Sequence, residues 1–196
     1  MPKNDKKAVL EALLKEVAFT GWNAETLRKI EGLQAFPKGI AEAIDYFSEQ
    51  MDTAMEAHCS TEAFQKLKIR EKIREGLMFR FRAHQKQREA TRRLMSYYAL
   101  PQHAPQAADH AWKMANKLWY CAGDTATDYN YYTKRTLLVG VYSSTLLAWA
   151  TDSTPDISIT QEFLDRRIGD VMKIEGAKRS VKEFFGKLTG GYSSPK

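Results

Sequence analysis

Apolar residues recur along this chain with a period near 3.6, the spacing of a helix with one buried face. Val9, Leu13 and Val17 start the pattern. Gly21 ends that helix, and Asn23 is placed to cap the next, Ala24–Glu31. Pro37 is placed to open a third helix carrying Ile40, Ile44 and Phe47. A long helix is expected from about Thr61 to His84 through Phe64, Leu67, Ile73, Leu77 and Phe81. Another follows to Leu100 and stops at Pro101. After a turn at Pro101–Pro105, helices fit Gln106–Cys121, Tyr129–Ala150, Thr160–Lys173 and Lys178–Leu188. Alternation of strand length is absent, so the fold class is all-α. The expected units are an N-terminal three-helix bundle over 1–50, a helical body over 51–175, an amphipathic helix over 177–190 and a disordered tail over 191–196.

Two stretches depart from an ordinary amphipathic pattern. Leu118–Arg135, LWYCAGDTATDYNYYTKR, sets five aromatics beside Asp124, Asp128, Lys134 and Arg135, a composition suited to a contact surface. The uncharged run Thr136–Thr151 follows; at 16 residues it is short for a membrane span and reads as a buried helix. In the last helix, Val181, Phe184, Phe185 and Leu188 fall on one stripe, while Lys178, Arg179, Lys182 and Lys187 oppose only Glu183. A basic, aromatic-bearing helix set off by Gly176 and Gly190–Gly191 suits a membrane interface, with Val181, Lys182, Phe184, Phe185 and Leu188 as contacts. Packing onto the core is the plainer use of the same stripe.

The chain has 196 residues, 43% of them hydrophobic and 28% charged, enough for one sizeable core. Its net charge of +6 permits acidic membranes, acidic proteins or nucleic acid without choosing among them. Cys59 and Cys121 form no CxxC pair, which suits a reducing compartment. The four histidines show no metal-binding spacing, and no phosphate loop is present. No catalytic residue, metal ligand or cofactor is therefore expected. One or both of Asp124 and Asp128 are assigned to capping the 129–150 helix, and Cys121 to packing. Pro2–Lys7 leads into the first helix without a signal-peptide apolar segment.

Gly21, Trp22, Thr26, Leu27, Arg28 and Ile30, followed by Tyr46–Phe47, resemble the helix-turn-helix of tetracycline-repressor-type regulators. Between them GLQAFPKG, residues 32–39, replaces the short turn and puts Pro37 at the head of the recognition helix. Specific base reading needs that helix seated, so no nucleic-acid partner is expected; Arg28, Lys29 and Lys38 form a basic face able to meet phosphates. A ligand-responsive DNA-binding regulator of this fold is the alternative function, and a dimeric scaffold without ligand a third.

From Trp119 to Arg167 the chain resembles the ubiquinone-biosynthesis accessory proteins of the Coq-nine type. The match runs through Trp119, Ala122-Gly123-Asp124, Thr127-Asp128, Asn130, Tyr132-Thr133 and Arg135, a WxxAGDxxxDxNxYTxR core. It continues through Leu138, Val141-Tyr142, Thr145, Asp152-Ser153, Pro155-Asp156, Phe163-Leu164 and Arg167, and upstream Gly21-Trp22 and Leu100-Pro101 fit. The resemblance implies a tetracycline-repressor-like helical bundle, a homodimer, no catalytic residues and a pocket for isoprenoid or other lipids. It implies peripheral association through the last helix, and service to the di-iron hydroxylase that acts on a very hydrophobic quinone intermediate. Carried over, the docking patch comprises Leu118, Trp119, Asp128, Tyr131, Tyr132 and Arg135, with Tyr131 where relatives often carry Trp. Helix-interior positions Leu77, Phe81, Leu94, Met95, Tyr98, Leu138, Tyr142, Leu146 and Trp149 would line the lipid site, unless they simply pack as core. The absence of a transit peptide suggests a bacterial, cytoplasmic protein on the inner face of the cytoplasmic membrane.

Overall fold

A computed structural model describes residues 5–127 and 129–189, with side chains through 173. All regular structure among these residues is helical. Helix α1 (Lys6–Thr20) starts at Asp5, whose carboxylate accepts from the backbone N–H groups of Lys7 and Ala8. It ends at Gly21, where φ of +78° turns the chain sharply and the N–H closes on the Val17 carbonyl. Asn23 caps α2 (Ala24–Lys29) through a 2.9 Å bond from the Thr26 N–H. A single 3₁₀ turn, Gly32–Gln34, and an irregular stretch then lead to α3 (Ile40–Cys59). The third helix thus begins at Ile40, not Pro37. Glu42 reaches back to the Lys38 N–H at 2.9 Å and fixes that start.

The expected helix over 61–84 is two helices. Thr61 caps the short α4 (Glu62–Gln65), and α5 (Ile69–Lys86) starts anew where Glu71 accepts from the Lys68 N–H at 3.0 Å. The break lets Phe64 turn inward, where it is buried. Helices α6 (Arg88–Tyr98), α7 (Ala104–Cys121), α8 (Tyr129–Thr151) and α9 (Ser158–Thr189) complete the fold. Helix α9 runs unbroken for 32 residues, through Gly176, so no backbone break separates the terminal basic segment from the body. The side chains of Val181, Lys182, Phe184, Phe185 and Leu188 lie outside the described residues, as do Asp128 and the tail from 190.

The core has two parts. One gathers Leu13, Val17, Trp22, Leu27, Phe36, Ile44 and Phe47 with Ala90 and Leu94 of α6. The other gathers Met55, Phe64, Leu77, Phe81, Met114, Leu118 and Trp149 with the first turns of α9. Helix α3 runs through both, so residues 50 and 51 sit mid-helix, and α6 packs with the N-terminal part. Trp22 locks that arrangement by donating from Nε1 to the Ala90 carbonyl at 2.9 Å. In the body, α5 and α7 approach closely at Gly76. A Cβ built there would lie 2.3 Å from Leu118 Cδ1.

Asp152 joins the end of α8 to the start of α9. One carboxylate oxygen accepts from the Thr154 N–H and hydroxyl, the other from the Thr160 N–H and hydroxyl at 2.8 and 2.7 Å. Burial alone would raise its pKa. The four hydrogen bonds outweigh burial and hold it at about 2.

Candidate functional site

The aromatic-acidic segment sits at the junction of α7 and α8, organised around Arg135. This side chain has no exposed surface. It donates from Nε to Asn116 Oδ1 at 2.7 Å and from Nη1 to Asp124 Oδ2 at 2.9 Å, and its guanidinium lies 3.5 Å from the Tyr131 ring centroid. Lys134 pairs with the other Asp124 oxygen at 2.6 Å. Asp124 therefore anchors two cations instead of serving as the α8 cap assigned to it from sequence; Asp128, the other residue given that role, lies outside the described residues. Its burial favours the protonated form, but the Lys134 and Arg135 bonds win and keep its pKa below the ordinary value. Trp119 donates from Nε1 to the Lys134 carbonyl at 3.1 Å, and the Lys134 ammonium stands over its ring.

Residues assigned to one docking patch fall into different roles. Leu118 and Arg135 are interior and touch no outside surface. Trp119 and Tyr131 are half-buried, while Tyr132 is 61% exposed. Asp128 lies outside the described residues. Sequence reasoning missed Trp112, one turn before Asn116 on α7. It packs against Tyr131 and Tyr132, whose own rings meet at 5.0 Å. The i, i+4, i+7 spacing of Trp112, Asn116 and Trp119 was the available signal. Tyr120 and Tyr129 add exposed rings nearby in the chain.

Two cavities open in the body. The first, about 320 Å³, lies between α5, α8 and α9 and is walled by Ile69, Ile73, Leu137, Val141, Ile168 and Met172. Trp119 and Lys134 also line it, so it shares residues with the aromatic surface. The second, about 350 Å³, lies between α3, α5, α6, α7 and α8. The nine positions assigned to a lipid site divide between these cavities and solid core. Leu94, Met95, Tyr98, Tyr142 and Leu146 line the second cavity, and Leu138 the first. Leu77, Phe81 and Trp149 line neither and are fully packed. Both volumes sit at the low end of the roughly 300–1,000 Å³ typical of small-molecule sites. Each suits a ring or a short stretch of chain, not a whole polyprenyl tail.

Remote in sequence, Cys59 and Cys121 are neighbours in space, and the Cys121 thiol, together with burial, pushes the Cys59 pKa up. Among the described residues no group of three His, Cys, Asp or Glu side chains is placed to hold a metal, and no helix is long and apolar enough to cross a membrane.

Between α2 and α3, where a helix-turn-helix has a short turn, the chain forms the 3₁₀ turn and the stretch through Gly39. The overall fold is nonetheless shared with a TetR transcriptional regulator from Nitrosomonas europaea. That match has a TM-score of 0.68 and 19% identity, covering 84% of this chain and 95% of the other. Residues 104–175 match the COQ9 family model. Ubiquinone biosynthesis protein COQ9, mitochondrial, is 31% identical in Rattus norvegicus and 30% in Homo sapiens, each over 89% of this chain. A probable ubiquinone biosynthesis protein coq9 of Dictyostelium discoideum is 27% identical over 92% of it. The chain spans about three fifths of the length of the rat and human proteins, 61% and 59%. Along most of its length, this chain is similar to the COQ9 ubiquinone biosynthesis proteins, on a fold that it shares with a TetR-type regulator.

Proposed function

We propose that the protein is a non-catalytic, lipid-binding accessory factor of ubiquinone biosynthesis. It takes up an isoprenoid quinone intermediate at a membrane surface and offers it to the di-iron hydroxylase of the pathway. The observation that carries this reading is the sharing of Trp119 and Lys134 between an aliphatic cavity and an exposed aromatic surface. An apolar chain in that cavity lies against Trp119 and Lys134, at the edge of the surface a partner would cover. Burying apolar area is worth roughly 25 cal/mol per Å². A few isoprene units seated there offset part of the cost of lifting the tail from a bilayer.

The terminal segment of α9 holds the protein at the membrane, and the body pairs as a homodimer. The basic and aromatic residues of 178–188 supply charge attraction and an apolar stripe. Removing residues 177–196 should abolish flotation with anionic vesicles while leaving the melting temperature intact and lowering helical circular dichroism only by the length of helix removed. Undiminished flotation would contradict the anchor. Docking is tested by pull-down of the purified hydroxylase. Binding should be lost on Tyr132→Lys, and normal capture would remove that surface from the account.

A further inference from the structure

Burial grades steeply across the second cavity. Its mouth is formed by exposed Ala99, Ser143 and Leu147. Its floor is formed by Arg80, His84, Thr91 and Tyr142, all nearly inaccessible. An apolar pocket for hydrocarbon alone has no need of a polar floor, and each buried polar group requires a partner.

Most polar groups around the cavity have one. Tyr98 bonds His110 Nδ1 at 2.6 Å, and His110 Nε2 bonds Asp45 at 2.8 Å. On the floor, Thr91, His84 and Tyr142 form a chain, with His84 Nε2 3.1 Å from the Tyr142 hydroxyl and Nδ1 3.3 Å from Thr91 Oγ1. Burial, with the nearby Arg80 charge, pushes the His84 pKa down to about 3, so the ring is neutral. With Nε2 protonated, His84 donates to the tyrosine oxygen and leaves the Tyr142 proton to be given elsewhere. Arg80 pairs with Asp52 through Nη1, but its Nε is buried without a hydrogen-bond partner. The floor thus holds one donor without a partner, Arg80 Nε, and in that tautomer a second, the Tyr142 hydroxyl.

Its charge is balanced. Asp52 faces Arg80 and, at 3.9 Å, Lys117, which itself pairs with Glu56 at 3.1 Å. Two cations therefore meet two carboxylates, with no surplus positive charge to attract an anion.

We infer that this floor recognises a neutral oxygen acceptor, the carbonyl or phenolic oxygen of a ring that enters head-first, with its hydrocarbon chain leaving by the mouth. The inference rests on the lipid-binding reading above but places the ring in this second cavity, apart from the hydrocarbon site beside Trp119, with Arg80 and Tyr142 as the residues that select it. Ring-first seating keeps the ring out of water while it is carried. The aromatic surface at Tyr131 lies about three helical turns from Tyr142 on α8, so delivery begins with release from this cavity.

The test uses three probes on the full chain: farnesyl-1,4-benzoquinone, the same chain ending in a methyl group, and the same chain ending in a carboxylate. Equilibrium dialysis gives a Kd for each. The wild type should bind the quinone about tenfold more tightly than the hydrocarbon, the scale of a hydrogen bond from a charged donor, and more tightly than the carboxylate. Replacing the buried pair together, Arg80→Met with Asp52→Leu, should erase that preference while leaving hydrocarbon binding in place. Tyr142→Phe, which removes one oxygen, should reduce it in a protein of unchanged melting temperature. Equal affinity of the wild type for quinone and hydrocarbon, tighter binding of the carboxylate, or an intact preference in Tyr142→Phe and the double variant would overturn the inference. Failure of all three probes to bind would overturn the lipid-binding reading itself.

Discussion

Arg135 sits over Tyr131, its guanidinium carbon 3.5 Å from the ring centroid, and the side chains of Arg135 and its carboxylate partner Asp124 are both nearly inaccessible to solvent. The motif's charged residues therefore hold the aromatic surface from within. Replacing Arg135 by Met leaves Asp124 with Lys134 alone and strips Asn116 of a donor. Loss of one member of a buried pair costs roughly 3–5 kcal/mol. The surviving Lys134 contact places this case near the lower end, about 3 kcal/mol. Urea denaturation reads it directly, and a stability equal to the wild type would contradict the geometry.

Tyr132 should behave oppositely. It is exposed and meets Tyr131 edgewise and Trp112 face-on. Tyr132→Ala should change stability by less than about 0.5 kcal/mol. Hydroxylase affinity should fall at least about tenfold, the behaviour of a hot-spot aromatic. Titration calorimetry on a variant with unchanged melting temperature separates the two effects.

Acid should destabilise the fold through Asp152 and Asp124. Both carboxyls are held below their ordinary value in the folded protein. The unfolded chain, with pKa near 3.9, then binds more protons than the folded one as pH falls. Their contribution is complete above about pH 4 and disappears as pH drops toward the Asp152 value of about 2. Asp152→Asn should flatten that part of the stability–pH curve; an unchanged slope would exclude Asp152 as its source.

Gly76→Ala should destabilise by about 1–3 kcal/mol, because the new methyl meets Leu118 where α5 and α7 nearly touch. A second substitution, Leu118→Ala, should recover part of that loss by opening room. Additive losses in the double variant would place the clash elsewhere.

The helices were legible because their apolar period is continuous, and Gly21 and Asn23 marked their boundaries directly. The break near residues 66–68 was not, since the 3.6 period carries on from Phe64 to Ile73 while the caps at Thr61 and Glu71 are short polar signals inside it. The motif identified which residues gather at the α7–α8 junction but not which way they face. Leu118 and Trp119 are adjacent in sequence yet about 100° apart on a helix, and Leu118 points inward. Arg135 is interior because Asp124 compensates its charge, whereas charge alone argues for the surface. The candidate lipid positions share apolar character, and only tertiary packing separates Leu77, Phe81 and Trp149, which fill space, from Tyr142 and Leu146, which border it.

The central claim is that these cavities hold a lipid in the cell. Protein purified without detergent from quinone-producing cells should be extracted with organic solvent and the extract analysed by mass spectrometry. The account predicts an isoprenoid quinone intermediate, or another long-chain lipid, at close to one molecule per chain. An empty extract from protein that is folded and homogeneous would contradict it.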